Sequence, residues 1–366
     1  MFEPSRRRRL IGRVFLVLGI VGIVAAMAAP APYVIEMPGP VFNAMSSLDG
    51  HKIITVSGAD TYQSKDRFDV LTVQTRGGPE LPPTWIEVFL AMLDNEKVVV
   101  PMESVYPSGV TQKDEEQVTT QMMLDSQRDA IAVALKQQGY KFPTFLAVDS
   151  IRKTSPAEGV FKVDDRVVSV NGKPAKVYAD ITSQVTASEG KSVSFVVNRS
   201  GKAKTVNVKP VKDTDGVYRV GIFVGYRYDF PVDVKIYLGN VTGPSAGLMF
   251  SLSLLDIMTP GDLSGGHHVA GTGTISPDGQ VGAIGGIRLK MIAARHAGAD
   301  YFLAPKSNCS EIIGHIPKGL TVRAVDTYED ALSVLSDLEQ SIPVSPILNC
   351  PTKYVTCEDS AHKRVE

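Results

Sequence analysis

Residues 239–256 read GNVTGPSAGLMFSLSLLD, and the role of the serine at position 245 decides what the rest of the chain must supply. Ser245 lies between Gly243-Pro244 and Ala246-Gly247, ahead of an apolar run that lasts to Met258 and stops before Pro260-Gly261. Upstream, Val232, Val234, Ile236 and Leu238 alternate with Asp233, Lys235 and Tyr237, the pattern of a half-buried strand. Strand, glycine-rich loop, serine and buried helix therefore follow in order. Two roles suit a serine there. It is an N-cap, satisfying free amides at a helix start, or it is a nucleophile in a G-x-S-x-G setting and needs a base.

A histidine base would draw on Asp300 and His315, giving the Ser…Asp…His order of an α/β-hydrolase-type esterase. That fold sets several strands of its sheet before the nucleophile, and little chain is available for them here. A lysine base is the other option. In QVGAIGGIRLKMIAARHAGAD (280–300), Gly285-Gly286 opens a helix from Ile287 to about Ala297, and Gly298 closes it. At about 100° per residue, Lys290 shares a small, apolar face with Ile287, Ala293, Ala294 and Ala297, while Arg288 and Arg295 fall nearly opposite. Burial and the positive end of the helix dipole both favour a neutral amine, the form that accepts a proton. A lysine snorkelling at the helix edge fits the same position.

The stretch from about Val232 to Asp330 resembles the proteolytic domain of Lon proteases, the Ser–Lys peptidases. GPSAG matches that family's nucleophile motif. AGTGTISPDGQVGAIGGIRLKMIAARHAGAD matches its second motif, and FLAPKSN the strand and P-x-x-N after it. The resemblance implies that Ser245 is the nucleophile, Lys290 the general base and Thr272 the residue that orients the lysine. The backbone N–H groups of Ser245, Ala246 and Gly247 are the implied oxyanion donors. The family's acidic residue after T-G is Thr274 here, and Asn240-Val241-Thr242 replaces a K-D pair before the serine.

A second unit lies between about Phe142 and Val211. Its strand candidates are Thr144–Val148, Val167–Val170, Ser192–Val197 and Thr205–Val208, with Asn171-Gly172 as a tight turn. SPAEGVFKVDDRVVSVNG (155–172) resembles PDZ domains, which implies a groove where an extended peptide adds to a sheet edge. The nearest candidate for the family's carboxylate loop is Gly139-Tyr140-Lys141-Phe142. A small β-domain acting as a spacer is the plainer alternative.

The N-terminus has a different composition. Arg6–Arg9 and Arg13 precede an apolar run from Val14 to Ala29, which starts at Leu10 when Arg13 is passed over, and no charge falls between Arg13 and Glu36. The run has the length of a membrane-spanning helix, and the arginines would stay cytoplasmic. Ala26-Met27-Ala28 also fits a signal-peptide cleavage site. A formal net charge of -1 argues against a nucleic-acid partner recruited by bulk charge. The sequence EGKS at 189–192 lacks the glycine that a phosphate-binding loop needs five positions before Gly190. No nucleotide, cofactor or metal is expected, and His267-His268 reads as loop. Cys350 and Cys357 lie in a polar tail, as a disulfide or as free thiols, and Cys309 would stand alone.

The expected chain is an α+β multidomain protein. Residues 1–35 form an Arg-rich tip and transmembrane helix, and 36–140 a β-rich and helical segment with room to pack on the catalytic domain. Residues 141–212 form a PDZ-like domain, 213–342 a Lon-type α/β proteolytic domain, and 343–366 a polar tail. The resemblance of the whole arrangement to bacterial PDZ–Lon membrane proteases implies an ATP-independent serine endopeptidase, single-pass with an extracytoplasmic catalytic domain. It would act on membrane-tethered or secreted polypeptides, and a homo-oligomer is compatible. A non-catalytic membrane adaptor is the third reading.

Overall fold

Strand β1 (Tyr33–Asn43) lies in a seven-stranded sheet that draws its strands from both ends of the chain. The computed structural model describes residues 14–19, 26–107, 112–213, 215–340 and 347–348. In chain order the elements that matter are β2 (Ile54–Ser57), β3 (Arg67–Arg76), α1 (Trp85–Met92), β4 (Val98–Pro101) and α2 (Gln112–Gln137). Then come β5 (Thr144–Ile151), β6 (Arg166–Val170), α3 (Tyr178–Ala187), β7 (Val193–Arg199), β8 (Lys202–Val208) and β9 (Ile222–Tyr228). The C-terminal part adds β10 (Asp233–Ile236), α4 (Gly247–Ile257), β11 (His268–Gly271), β12 (Thr274–Ile275), β13 (Val281–Gly282) and α5 (Ile287–His296). It ends with β14 (Tyr301–Pro305), β15 (Thr321–Val325), α6 (Tyr328–Glu339) and β16 (Ile347–Leu348).

The main sheet runs β16-β15-β14-β11-β3-β1-β4. Its C-terminal strands are parallel, β3 joins them in parallel through Val269 opposite Phe68, and β1 pairs antiparallel with β3 and β4. Three strands from residues 33–101 thus belong to the same sheet as four from residues 268–348. One face packs Phe68, Leu135, Leu252, Leu303 and Leu335 into a core shared by α2, α4 and α6. The other face packs Leu71, Ala270 and Phe302 against Ile287, Met291 and Ala294 of α5. Helix α4 is buried from Gly247 to Asp256. Its two serines are tolerated because their hydroxyls bond back to the carbonyls of Leu248 and Met249.

The second unit folds around its own core of Leu146, Phe161, Phe195, Val197 and Val208. Alternation in Val193–Val197 buries Val193, Phe195 and Val197. Asn171 (φ 48°) and Gly172 (φ 76°) make the tight turn that this pair favours. The sequence closes this unit at 212, but β9 pairs along β5 from Ile222–Ile151 to Tyr228–Thr144 and carries it to Tyr228. The 142–211 stretch lacked that strand because its sheet partner β5 lies on the far side of the unit in sequence. Glu189 and Gly190, both at positive φ, form the turn after α3, as expected for EGKS.

Two further expectations change. The 139–142 loop is not at a groove: Phe142 packs edge-on against Tyr228 and Phe230, and Tyr140 joins Phe142 against the main-sheet core. Cys309, expected to stand alone, is disulfide-bonded. Cys350 and Cys357 lie outside the described residues, as do Arg6–Arg9, Arg13 and residues 20–25 of the expected transmembrane helix. Among the described residues, no helix is long and apolar enough to cross a membrane.

Candidate active site

The loop after Leu238 delivers Ser245 to the start of α4, but not as its cap. The N-cap is Ala246, with no side-chain cap bond. The Ser245 hydroxyl instead lies 2.7 Å from Lys290 Nζ. Gly286 (φ 68°) starts α5 in the left-handed region, where glycine is favoured, and a Cβ there would come within 2.7 Å of Val73 Cγ2. That close seat of α5 on β3 points Lys290 inward. The lysine is 3% exposed, and burial pushes its pKa down to about 8.

Thr272, fully buried after β11, closes the arrangement. Its hydroxyl donates to the Ser245 carbonyl at 3.0 Å and accepts from Lys290 Nζ at 3.1 Å. Because the threonine proton is committed to the carbonyl, its oxygen receives an Nζ hydrogen. The lone pair of a neutral amine is then free to face the serine hydroxyl. The Ser245 carbonyl also accepts the Gly273 N–H at 2.8 Å, so the backbone under the hydroxyl is held twice. Of the three oxyanion candidates, the Gly247 N–H reaches the Pro244 carbonyl at 3.4 Å. The amides of Ser245 and Ala246 donate to no group among the described residues.

Helix α2 supports the loop from beneath, a role its sequence does not advertise. Ser126 Oγ donates to the Pro244 carbonyl at 2.9 Å, and the Gly243 N–H donates to the Thr119 carbonyl at 3.0 Å. A Cβ on Gly247 would lie 2.6 Å from Ser126 Oγ and 2.9 Å from Ile275 Cγ2. The cleft over Ser245 is lined by Lys290, Gly285, Met123, Asn240–Gly243 and the strand stretch Val70–Gln74. Pairing of β3 with β11 ends at Val70–Gly271, so Leu71 to Gln74 continue along the cleft beyond that partner.

Asp300 and His315 do not join this cluster. Asp300 faces Arg295 at 3.5 Å, and neither residue bonds to Ser245 among the described residues. His268 is no loop residue: it starts β11, and its Nε2 lies 2.6 Å from the fully buried Asp69 on β3. Burial works to raise the Asp69 pKa, and the bonds from His268 and Arg67 outweigh it and hold the carboxyl low. Among the described residues no three potential ligands cluster to hold a metal.

In the second unit, β9 is an edge strand, and its start faces α3 across a groove. Ile181 and Val185 line one wall, and Tyr218 to Val224 the other. This is the place where the expected PDZ groove is found, with the 217–222 stretch at its end instead of 139–142. The far end of β9 is tied to α2, where Tyr228 donates to Asp129 at 2.5 Å and Arg227 reaches Asp125 at 3.5 Å, and Arg227 also pairs with Asp149 of the neighbouring β5.

The Lon protease (S16) C-terminal proteolytic domain matches residues 230–337, and the PDZ domain family matches residues 111–209. The PDZ match begins at α2, whose buried residues Ala130, Ile131 and Leu135 belong to the core beneath the main sheet. A Lon protease of Treponema pallidum is 37% identical over 95 residues, 25% of this chain and 11% of that protein. A Lon protease of Campylobacter concisus is 36% identical over 110 residues, 29% of this chain and 13% of that protein. The chain thus spans a small fraction of the length of these relatives. The solved PDZ domain of an SdrC-like protein from Listeria innocua aligns with 22% of this chain and 92% of its own, at 20% identity and a TM-score of 0.21. The chain combines a Lon-type proteolytic domain with a PDZ domain.

Proposed function

We propose that the protein is a serine endopeptidase that works without ATP, with Ser245 and Lys290 as its catalytic pair. The observation that carries this reading is the buried Lys290 amine 2.7 Å from the Ser245 hydroxyl. Lys290 takes the hydroxyl proton as Ser245 Oγ attacks a peptide carbonyl. The tetrahedral oxyanion is received by the Ser245 and Ala246 amides, donors worth about 3 kcal/mol each where preorganised. Lys290 then passes its proton to the leaving amine, and the C–N bond breaks. Water, deprotonated by the same amine, hydrolyses the Ser245 ester and restores the serine. Thr272 keeps Nζ aimed throughout.

The PDZ groove selects or regulates substrates by adding an extended segment along β9. The apolar run Leu10–Ala29 anchors the chain in a membrane, with the arginines cytoplasmic and the catalytic domain on the other side. Substrates are flexible segments of secreted or membrane-tethered proteins, because nothing in this reading supplies force to unfold stable ones.

The test is cleavage of an unfolded polypeptide without nucleotide, beside labelling by a serine-reactive phosphonate. Wild type is expected to cleave and to label at Ser245, whereas Ser245→Ala and Lys290→Ala do neither and stay folded. A folded wild type that does not label is the adaptor. An inactivating His315→Ala with an active Lys290→Ala hands the site to the esterase reading.

A further inference from the structure

Helix α1 is short, and apart from an edge-on contact of Trp85 with Tyr33 one apolar stripe of it is left uncovered by the fold. Val88 and Ala91 are buried against the domain, while Trp85, Ile86, Phe89, Leu90 and Leu93 are 40–68% exposed. At about 100° per residue these five form one continuous stripe with no charge inside it. Leu81, 82% exposed, extends the stripe at its N-terminal end. Glu87 points to the opposite side, where it closes the capping box with Thr84 and pairs with Arg76. A contiguous exposed apolar surface of this kind marks a docking site.

What it docks against follows from what is attached to it. The chain arriving from the apolar run Leu10–Ala29 is pinned to the start of α1. The Ala29 carbonyl accepts the Trp85 N–H at 3.1 Å, the Ala31 N–H donates to Pro83, and Pro30 bridges Thr84. If that run enters a bilayer, it leaves the bilayer directly at this helix. Trp85, at the root of the stripe, is the residue type that prefers the membrane–water boundary. We propose that α1 lies in the surface of the phospholipid bilayer, with Trp85, Phe89 and Leu93 in the headgroup–acyl boundary. This rests on the anchoring reading above and adds to it an orientation.

The orientation matters for the cleft. Arg76, bound to Glu87, ends the strand whose Val70–Gln74 stretch lines the space over Ser245. At ~3.4 Å per strand residue, the cleft wall begins within about 10 Å of the docked helix. The active site therefore opens close to the membrane surface, and polypeptide lying along that surface is what it meets.

Trp85 is the chain's single tryptophan, so its fluorescence reports on this face alone. The full chain is reconstituted in phosphatidylcholine–phosphatidylglycerol vesicles, with and without lipids brominated near the headgroup end of the acyl chain. Blue-shifted Trp85 emission quenched about threefold by the brominated lipid is expected, as for an interfacial tryptophan. Phe89→Gln/Leu93→Gln should float with the vesicles, label at Ser245 like wild type, and lose most of the quenching. A chain that floats while Trp85 stays unquenched overturns the docking and leaves the anchor standing. A chain that does not float overturns both. Unquenched emission that shifts to the blue with rising protein-to-lipid ratio overturns the proposal in favour of a second copy covering the stripe.

Discussion

Lys290 Nζ and Ser245 Oγ lie 2.7 Å apart, although 45 residues separate them in sequence. Burial lowers the Lys290 pKa from 10.5 to about 8, so the amine becomes a base within reach of physiological pH. Activity should climb with pH and level off above a midpoint near 8, read as kcat/KM against pH. The same shift has a signature in stability. Between about 8 and 10.5 the unfolded chain holds a proton on this lysine that the folded chain has lost. Stability from this group therefore rises with pH across that window. Thermal unfolding across the window should show the rise in wild type and not in Lys290→Met.

Thr272 is a positioning residue between the two. Thr272→Val keeps the shape but removes both the acceptor for Nζ and the donor to the Ser245 carbonyl. Misplacement of this order should lower kcat by about 10²-fold with KM little changed. Thr272→Ser should recover most of it, which a purely structural role for the methyl group would not allow.

Gly247→Ala would drive a methyl group into Ser126 and Ile275. The variant should lose about 1–3 kcal/mol of stability as an overpacked core position, measured by denaturant titration. Ser126→Ala frees the Pro244 carbonyl and part of that space. Because the two residues touch, the double variant should not be the sum of the single ones.

Asp129 is pushed up to about 6, first by burial and also by Asp125, against the opposing bond from Tyr228. Its folded pKa lies above its ordinary 3.8, so the stability it contributes is present below pH 4 and lost as pH rises through 6. Asp129→Asn, which keeps an oxygen for Tyr228, should gain thermal stability relative to wild type as pH rises from 4 to 7. A Tm difference flat across that range would show that the carboxyl is not so placed.

The site was legible where its signals are local. GPSAG is five consecutive residues, and the face that carries Lys290 follows from helical spacing alone. Thr272 came with the motif. Ser126 did not, because a serine in the Gln- and Asp-rich α2 looks like solvent-facing polarity, and nothing nearby marks its bond to a loop 118 residues away. The same holds for Asp69 and His268. Each reads as an ordinary polar residue in sequence, and they meet only because β3 lies beside β11. Strand β9 escaped for a related reason: its partner lies across the whole PDZ unit, and periodicity records which residues alternate, not whom they pair with. The groove end at 217–222 went with it. Thr84 before Trp85 marks the start of helix α1 in the sequence, yet the helix's exposed side cannot be told from a buried one there, since an apolar stripe looks the same in sequence whether protein or lipid covers it.

Asp69 and His268 stand opposite each other across 199 residues, and the PDZ unit lies wholly between them. A ribosome therefore finishes the PDZ strands long before it makes the partners that β3 awaits. The unit from Thr144 to Tyr228 has its own core and can fold as it emerges. The serine's surroundings cannot, because β11, Thr272 and the Lys290 helix are all made later. A half-made chain thus carries the finished groove of α3 and β9 while Ser245 still waits for Lys290, and the two meet only after α5 has been made.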